Sequence, residues 1–506
     1  MYNYGNNKEV ISLGRTCGIL LPLSSLPGGW GIGDLGPESR RFVDFLSRSG
    51  QRIWQMLPLS ETDGAMGNSP YSSSSAFAGS RLYISPDDLV ERGLLTAEEI
   101  GAAPAFPSDR VDYRAVRRHR KRLLERAFSR FSPTRDYEEF LEAQSYWVFD
   151  YALFAAMKTR TEGSSWESWP DDLKKREIRE MARARFFLTE EIDRALFEQF
   201  MFFESMKRLR RECDEKGVEL LGDLPIYVNY DSADVWAHQE FFQLDQDLVP
   251  TRVAGVPPDY FSKTGQLWGN PLYDWEELER DNFSWWIRRL KHSLSLFHLV
   301  RVDHFRGLLG YWAVPYGDRT AERGEWRSAR PETFFGELRR SLPGISFLAE
   351  NLGVITPDVT ETMERMDFPG MAVLQFGFSG DARDNPHAPH NYGANLAAYS
   401  GTHDNNTALG WYREDATAAE RLALAEYTGR TPAEEEVPEI MVRLVLSSVA
   451  ERAVIPLQDH LGLGSEARIN MPSTPSGNWE WRAREGHFSE ELAQRIKRLA
   501  EIYGRN

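Results

Sequence analysis

Leu299-Val300-Arg301-Val302-Asp303-His304 decides the fold of this chain: an apolar run of strand length that stops on a carboxylate. The segment before it, 278–294, sets Leu278, Trp285, Trp286, Leu290 and Leu294 on one helical stripe and feeds directly into the run. The same pattern returns in Ile345-Ser346-Phe347-Leu348-Ala349-Glu350 and in Tyr399-Ser400-Gly401-Thr402-His403-Asp404. Intervals of roughly 50 residues leave room for a helix and a loop between the acids. In a parallel barrel the strand ends gather on one face, where chemistry is assembled from several strands at once. Three acids brought together there point to glycosyl transfer, which needs a nucleophile and a proton donor.

Working outward, strand-like runs recur at Gly18–Leu23, Ile53–Leu57, Val218–Leu221, Phe297–Val302, Ile345–Ala349, Ala372–Phe376, Ala397–Ser400 and Ala453–Leu457. Eight runs with helical patterns between most of them predict an α/β fold, a (β/α)8 TIM barrel. One interval is too long. Residues 86–199 carry helical periodicity, with Tyr146, Phe149, Leu153 and Met157 on one face, and no strand-like run. They are expected to form a helical insertion, leaving 1–85 and 200–506 as the catalytic barrel. A smaller insertion at about 229–275, rich in Asp, Pro, Gly and aromatics, has the composition of an ordered functional loop.

Composition narrows the function classes. The 506 residues carry a net charge of -16, which disfavours a nucleic-acid partner. The local basic run Arg117-Arg118-His119-Arg120-Lys121-Arg122 reads as a solvated helix face with flanking acids. No apolar stretch is long enough for a bilayer, and the first residues lack a signal pattern, so a cytoplasmic location without membrane contact is expected. Two cysteines, Cys17 and Cys213, suit neither a disulfide framework nor a tetrahedral thiolate zinc site. The sequence carries no sign of oligomeric state.

Each acid has a plain reading beside the chemical one. Arg301 and Asp303 are two apart on a strand and share a face, so the guanidinium would keep the carboxylate ionised, as a nucleophile requires; alone, the pair would be structural. Glu350 follows apolar residues whose burial would raise its pKa and suit a general acid, or it is an exposed residue at a loop start. His403-Asp404 could hold hydroxyls of one sugar ring, while Asp-Asn-Asn is also good turn chemistry. Asp303-His304 and His403-Asp404 permit a metal-hydrolase reading, but their spacing gives it no support and no metal is called for. Gly31-Ile32-Gly33-Asp34-Leu35-Gly36 matches a dinucleotide pattern only weakly, because seven residues separate it from the strand. A backbone brought close to a ligand or to neighbouring loops accounts for it better. Gly67-Asn68-Ser69-Pro70-Tyr71 and the Gly255–Trp275 stretch set aromatics beside amides and acids, which suits stacking on a sugar and bonding its hydroxyls.

These segments, with Asp223-Leu224-Pro225-Ile226-Tyr227-Val228, Asp231-Ser232-Ala233-Asp234-Val235-Trp236, Val302-Asp303-His304-Phe305-Arg306-Gly307, Ala349-Glu350-Asn351-Leu352-Gly353 and Gly401-Thr402-His403-Asp404-Asn405-Asn406, resemble the motifs of the 4-α-glucanotransferases called amylomaltase or disproportionating enzyme, barrel enzymes of the α-amylase clan. The match runs from about residue 15 to Asn478-Trp479-Glu480-Trp481-Arg482. The resemblance implies Asp303 as nucleophile, Glu350 as acid/base and Asp404 as transition-state stabiliser. It implies that Arg301, His304 and His403 hold the sugar at the scissile bond, with Tyr71 stacked on it and Asp223 in support. Asp259 and Trp268 would belong to a loop over the acceptor side, and Asn470 would be a further sugar contact. Asn351 and Asn406 stand where that family commonly has Asp, and Ser72-Ser73-Ser74-Ser75 is simpler than its usual stretch. The expected activity is retaining transfer of α-1,4-glucan segments between maltooligosaccharides, without a cofactor, with carboxyls about 5 Å apart. Hydrolysis is the nearest rival, since only the acceptor differs. A non-catalytic glucan-binding protein would be expected to lack one of the three acids.

Overall fold

The computed structural model describes residues 14–258, 262–353, 355–474 and 476–506. Twelve strands run in chain order among them: β1 Thr16–Leu20, β2 Ile53–Gln55, β3 Glu219–Leu224, β4 Arg252–Val256, β5 Gln266–Pro271, β6 Leu299–Val302, β7 Gly310–Pro315, β8 Glu325–Ser328, β9 Leu348–Ala349, β10 Gly370–Val373, β11 Leu396–Tyr399 and β12 Arg452–Pro456. Eight form one parallel sheet in the order β10-β11-β12-β1-β2-β3-β6-β9. The two ends of this order meet: the Ala349 N–H donates to the Pro369 carbonyl at 2.8 Å, and Met371 N–H donates to Asn351 Oδ1 at 2.7 Å. The result is a nearly closed barrel, and each of the eight apolar runs supplies one of its strands.

Strand limits shift by a few residues where pairing, not hydrophobicity, sets them. β3 continues past its apolar run through Asp223, because Asp223 still pairs with Arg301. The run Ala372–Phe376 is strand only as far as Val373, after which Leu374–Phe378 coils into a 3₁₀ turn. The helix Ser284–Leu296 buries Trp285, Trp286 and Leu290 and turns directly into β6. Val302 pairs with Ala349, so Asp303 and Glu350, the next residues, emerge level on neighbouring strands.

Between β2 and β3 the described residues form helices without strands. The last, Thr189–Lys216, runs unbroken through position 200, packs on the barrel helix Pro37–Arg48 and stops at the left-handed Gly217. The 229–275 segment contributes β4 and β5 to an antiparallel sheet of order β5-β4-β7-β8. Its other half, β7 and β8, comes from 310–328, to which the apolar runs assign no element. The glycine-rich 31–36 segment packs against neighbouring loops: a Cβ on Gly33 would meet the Leu23 carbonyl oxygen at 2.0 Å, and one on Gly36 the Ser85 hydroxyl at 2.1 Å. Cys17 and Cys213 are buried and unpaired. Among the described residues no helix is long and apolar enough to cross a membrane.

Candidate active site

Arg301 is the hub. On β6 it lies opposite Asp223 of β3, and its Nη1 bonds both Asp223 oxygens at 2.8 Å. Its Nη2 reaches Asp303 Oδ1 at 2.8 Å. The guanidinium fork thus joins two carboxylates, a geometry an ammonium could not copy. Burial differs sharply between the partners: the side chain of Asp223 is 0% exposed and that of Asp303 32%. Asp223 is therefore enclosed, whereas Asp303 keeps part of its carboxylate exposed.

Glu350 is held from the backbone. Its Oε2 accepts the His304 N–H and its Oε1 the Leu352 N–H, both at 2.7 Å. His304 adopts a left-handed conformation (φ 46°), which turns that N–H towards the carboxyl at a cost of roughly 1–2 kcal/mol for an L-residue. Burial pushes Glu350 up to about 7, with the neighbouring Asp303 charge adding to the shift and Arg301 opposing it. A carboxyl there can hold and release a proton near neutrality. Burial also pushes the His304 imidazole down to about 4, so it is neutral at pH 7.

Asp404 stands on the loop that follows β11. Asn470 Nδ2 donates to its Oδ1 at 2.6 Å, Arg468 Nη2 donates to its carbonyl at 2.9 Å, and His403 Nε2 lies 3.4 Å from Oδ2. The Tyr71 hydroxyl donates to Asp223 Oδ2 at 2.9 Å and sits 2.9 Å from His403 Nε2. That contact asks His403 to carry its proton on Nε2. The Tyr71 and His403 rings stack at 5.2 Å, and Trp479 borders both at 5.9 and 6.0 Å. Trp268, 37% exposed, packs T-shaped with His304, ring centroids 4.8 Å apart.

The structure thus brings together Tyr71, Asp223, Trp268, Arg301, Asp303, His304, Glu350, His403, Asp404 and Asn470. Asp259 lies outside the described residues. The two asparagines at commonly acidic positions both have local partners: Asn351 serves the β9–β10 seam, and Asn406 bonds Ser465 Oγ and the Thr407 N–H.

Some contributors escaped the sequence reading. Within the basic run, Arg117 bonds Asn68 Oδ1 at 2.6 Å and both oxygens of Thr62, bracing the turn that leads to Tyr71. Arg120 is buried against Asp34 and the Ile84 carbonyl, so only part of this run is a solvated face. Tyr113, on the same helix, donates to the Trp479 carbonyl at 2.9 Å. Helical periodicity places Tyr113, Val116 and Arg120 on one buried stripe, which was the available signal.

Known proteins agree with this geometry. A family described as 4-alpha-glucanotransferase matches residues 21–488. Curated 4-alpha-glucanotransferases from Aquifex aeolicus and Thermus thermophilus are 46% and 47% identical, each alignment covering 97% of this chain and 99% of the relative. An amylomaltase from Streptococcus agalactiae, solved in complex with acarbose, superposes with a TM-score of 0.93 at 35% identity, covering 97% of this chain and 100% of that one. A barrel with these strand-end acids, matched over nearly its whole length, places the chain in the 4-alpha-glucanotransferase family.

Proposed function

We propose that this chain is a retaining 4-α-glucanotransferase that moves α-1,4-glucan segments from a donor to a maltooligosaccharide or glucose acceptor. The observation that carries the mechanism is the unequal pair at the ends of β6 and β9: Asp303 accepts a charge-assisted bond from Arg301, while burial pushes Glu350 up to about 7. Asp303 attacks the anomeric carbon as Glu350 gives its proton to the departing glycosidic oxygen. The bond to the leaving chain breaks, and a β-linked glucosyl-enzyme forms on Asp303. The 4-hydroxyl of an acceptor then attacks that carbon, loses its proton to Glu350 and releases Asp303.

Asp404 and His403 hold ring hydroxyls as charge develops, with Tyr71 against the same sugar and Arg301 and Asp223 fixing the nucleophile. Trp268, beside His304, offers an aromatic face to the acceptor, and Asp259 belongs to the same acceptor-side reading. Asn470 is a sugar contact in this reading and also orients Asp404. Residues 86–199 are taken as a helical insertion on the barrel, supported by the absence of described strands between β2 and β3. A cytoplasmic location fits the two buried, unpaired cysteines.

Incubation with maltotriose alone tests the reading. Transfer produces glucose and a ladder of longer chains at a constant number of reducing ends; a rising number identifies a hydrolase instead. Asp303→Asn abolishes turnover while largely sparing glucan binding, and near-normal turnover would sink the assignment.

A further inference from the structure

One more carboxylate follows a barrel strand. In Val454-Ile455-Pro456-Leu457-Gln458-Asp459 an acid again stands just past an apolar run, and Asp459 is only 3% exposed. Among the described residues no ion pair reaches it; its two oxygens are spent on the Asp404 loop. Ser400 Oγ donates to Oδ2 at 2.6 Å, and the Ala408 N–H donates to Oδ1 at 2.7 Å. Ser400 is the first residue beyond β11, and Ala408 opens the short helix Ala408–Gly410. A single carboxylate therefore ties together the two ends of the segment 400–408, which carries His403 and Asp404.

Other contacts hold the same loop along its length. Gln375 Nε2 donates to the Asn406 carbonyl at 2.8 Å, Asn406 Nδ2 to Ser465 Oγ at 3.0 Å, and Asn405 Oδ1 accepts from both the N–H and the hydroxyl of Thr402 at 2.9 Å. These fix points within the loop or to one neighbour, whereas Asp459 closes its base. Taking a carboxylate out of water without a cation costs several kcal/mol, so its two bonds must be well made for it to stand there. Burial pushes Asp459 up to about 6.

We propose that Asp459 is a positioning residue for Asp404: by closing the base of the 400–408 loop it sets the height and direction of the Asp404 carboxylate over the barrel mouth. The proposal rests on the reading of Asp404 as an acid that acts on the sugar. A displacement of about 1 Å at such a group can cost on the order of 10²-fold in rate. Because Asp404 is assigned to the transition state, the loss belongs in kcat rather than KM.

The test is maltotriose disproportionation by Asp459→Ala, Asp459→Asn, Asp404→Asn and the Asp459→Ala/Asp404→Asn double variant, with thermal unfolding recorded for each. Asp459→Ala should lower kcat by roughly 10- to 100-fold and move KM by less than about threefold. Asp459→Asn keeps an oxygen for the Ala408 N–H and an amide for Ser400 Oγ, and should retain kcat within about threefold. In the Asp404→Asn background, followed at high enzyme concentration, Asp459→Ala should cost less than about twofold, since its route of action is already gone. If Asp459→Ala does not fold, Ser400→Ala frees one end of the loop and takes its place in the cycle, with an expected loss of about three- to tenfold that disappears beside Asp404→Asn.

A folded Asp459→Ala enzyme with wild-type kcat, or a loss that multiplies in full with that of Asp404→Asn, overturns the proposal and leaves the site assignment standing. Near-normal turnover by Asp404→Asn overturns the assignment of Asp404, and the proposal with it.

Discussion

Replacing Arg301 by Gln removes the cation that joins Asp223 to Asp303. The side chain of Asp223 is 0% exposed, and among the described residues the hydrogen bond it would keep from a side chain is that of the Tyr71 hydroxyl. Breaking a buried ion pair from one side costs about 3–5 kcal/mol, because the remaining charge has lost its partner without regaining water. Gln can return one or two neutral hydrogen bonds, each contributing about 1 kcal/mol, so a net loss of about 1–4 kcal/mol is expected. The variant should therefore unfold at a clearly lower temperature.

A second consequence separates this electrostatic account from simple loosening. Arg301 also opposes the upward shift of Glu350. Without that positive charge the deprotonated form is less favoured, so the carboxyl holds its proton to higher pH. For a group that must be protonated to act as an acid, the alkaline limb of the kcat/KM profile moves upward. Scanning calorimetry and a pH-rate profile on maltotriose measure both effects. Wild-type unfolding temperature together with an unmoved alkaline limb would refute the reasoning.

Three further outcomes follow from single contacts. Asn351→Asp keeps an oxygen for the Met371 N–H and adds a negative charge next to Glu350, so the fold should stand while the alkaline limb moves to higher pH; an unmoved limb in a folded enzyme counts against Glu350 as the titrating acid. Tyr71→Phe keeps the ring stacked on His403 but deletes the hydroxyl between Asp223 and His403; leaving buried partners unsatisfied costs about 1–3 kcal/mol, or roughly 5- to 150-fold in kcat/KM. Arg117→Met should loosen the 62–68 turn, lowering stability by about 1–3 kcal/mol and speeding limited proteolysis there, which mass spectrometry of the fragments would locate.

The parts of this protein that were legible in its sequence are those governed by period and chain order. Phe297–Val302 carries apolar residues on both faces because β6 is buried on both, and the stripe Trp285, Trp286, Leu290 marks the helix that feeds it. Strand ends gather on one face of a parallel barrel, so acids standing after such runs can be grouped from the sequence. Segments whose order comes from pairing with distant partners were less visible. β7 and β8 alternate weakly and are ordered by their antiparallel ladder, and by β4, about 60 residues earlier in the chain. Arg117 looked like part of a charged face, since nothing local shows that Thr62 and Asn68 await it.

Taken alone, the sequence determined the eight-strand parallel barrel, the acids at its strand ends and the resemblance that named their chemistry, because hydrophobic periodicity and motif spacing are local properties of the chain. Only the tertiary structure decided how those acids differ. The register of β3, β6 and β9 sets Arg301 between Asp223 and Asp303 and raises Glu350 beside them, and the ends of β11 and β12 bring Asp459 under the Asp404 loop. Burial and partner distance fix protonation and orientation, and both arise only when residues far apart in sequence come within a few ångströms of one another.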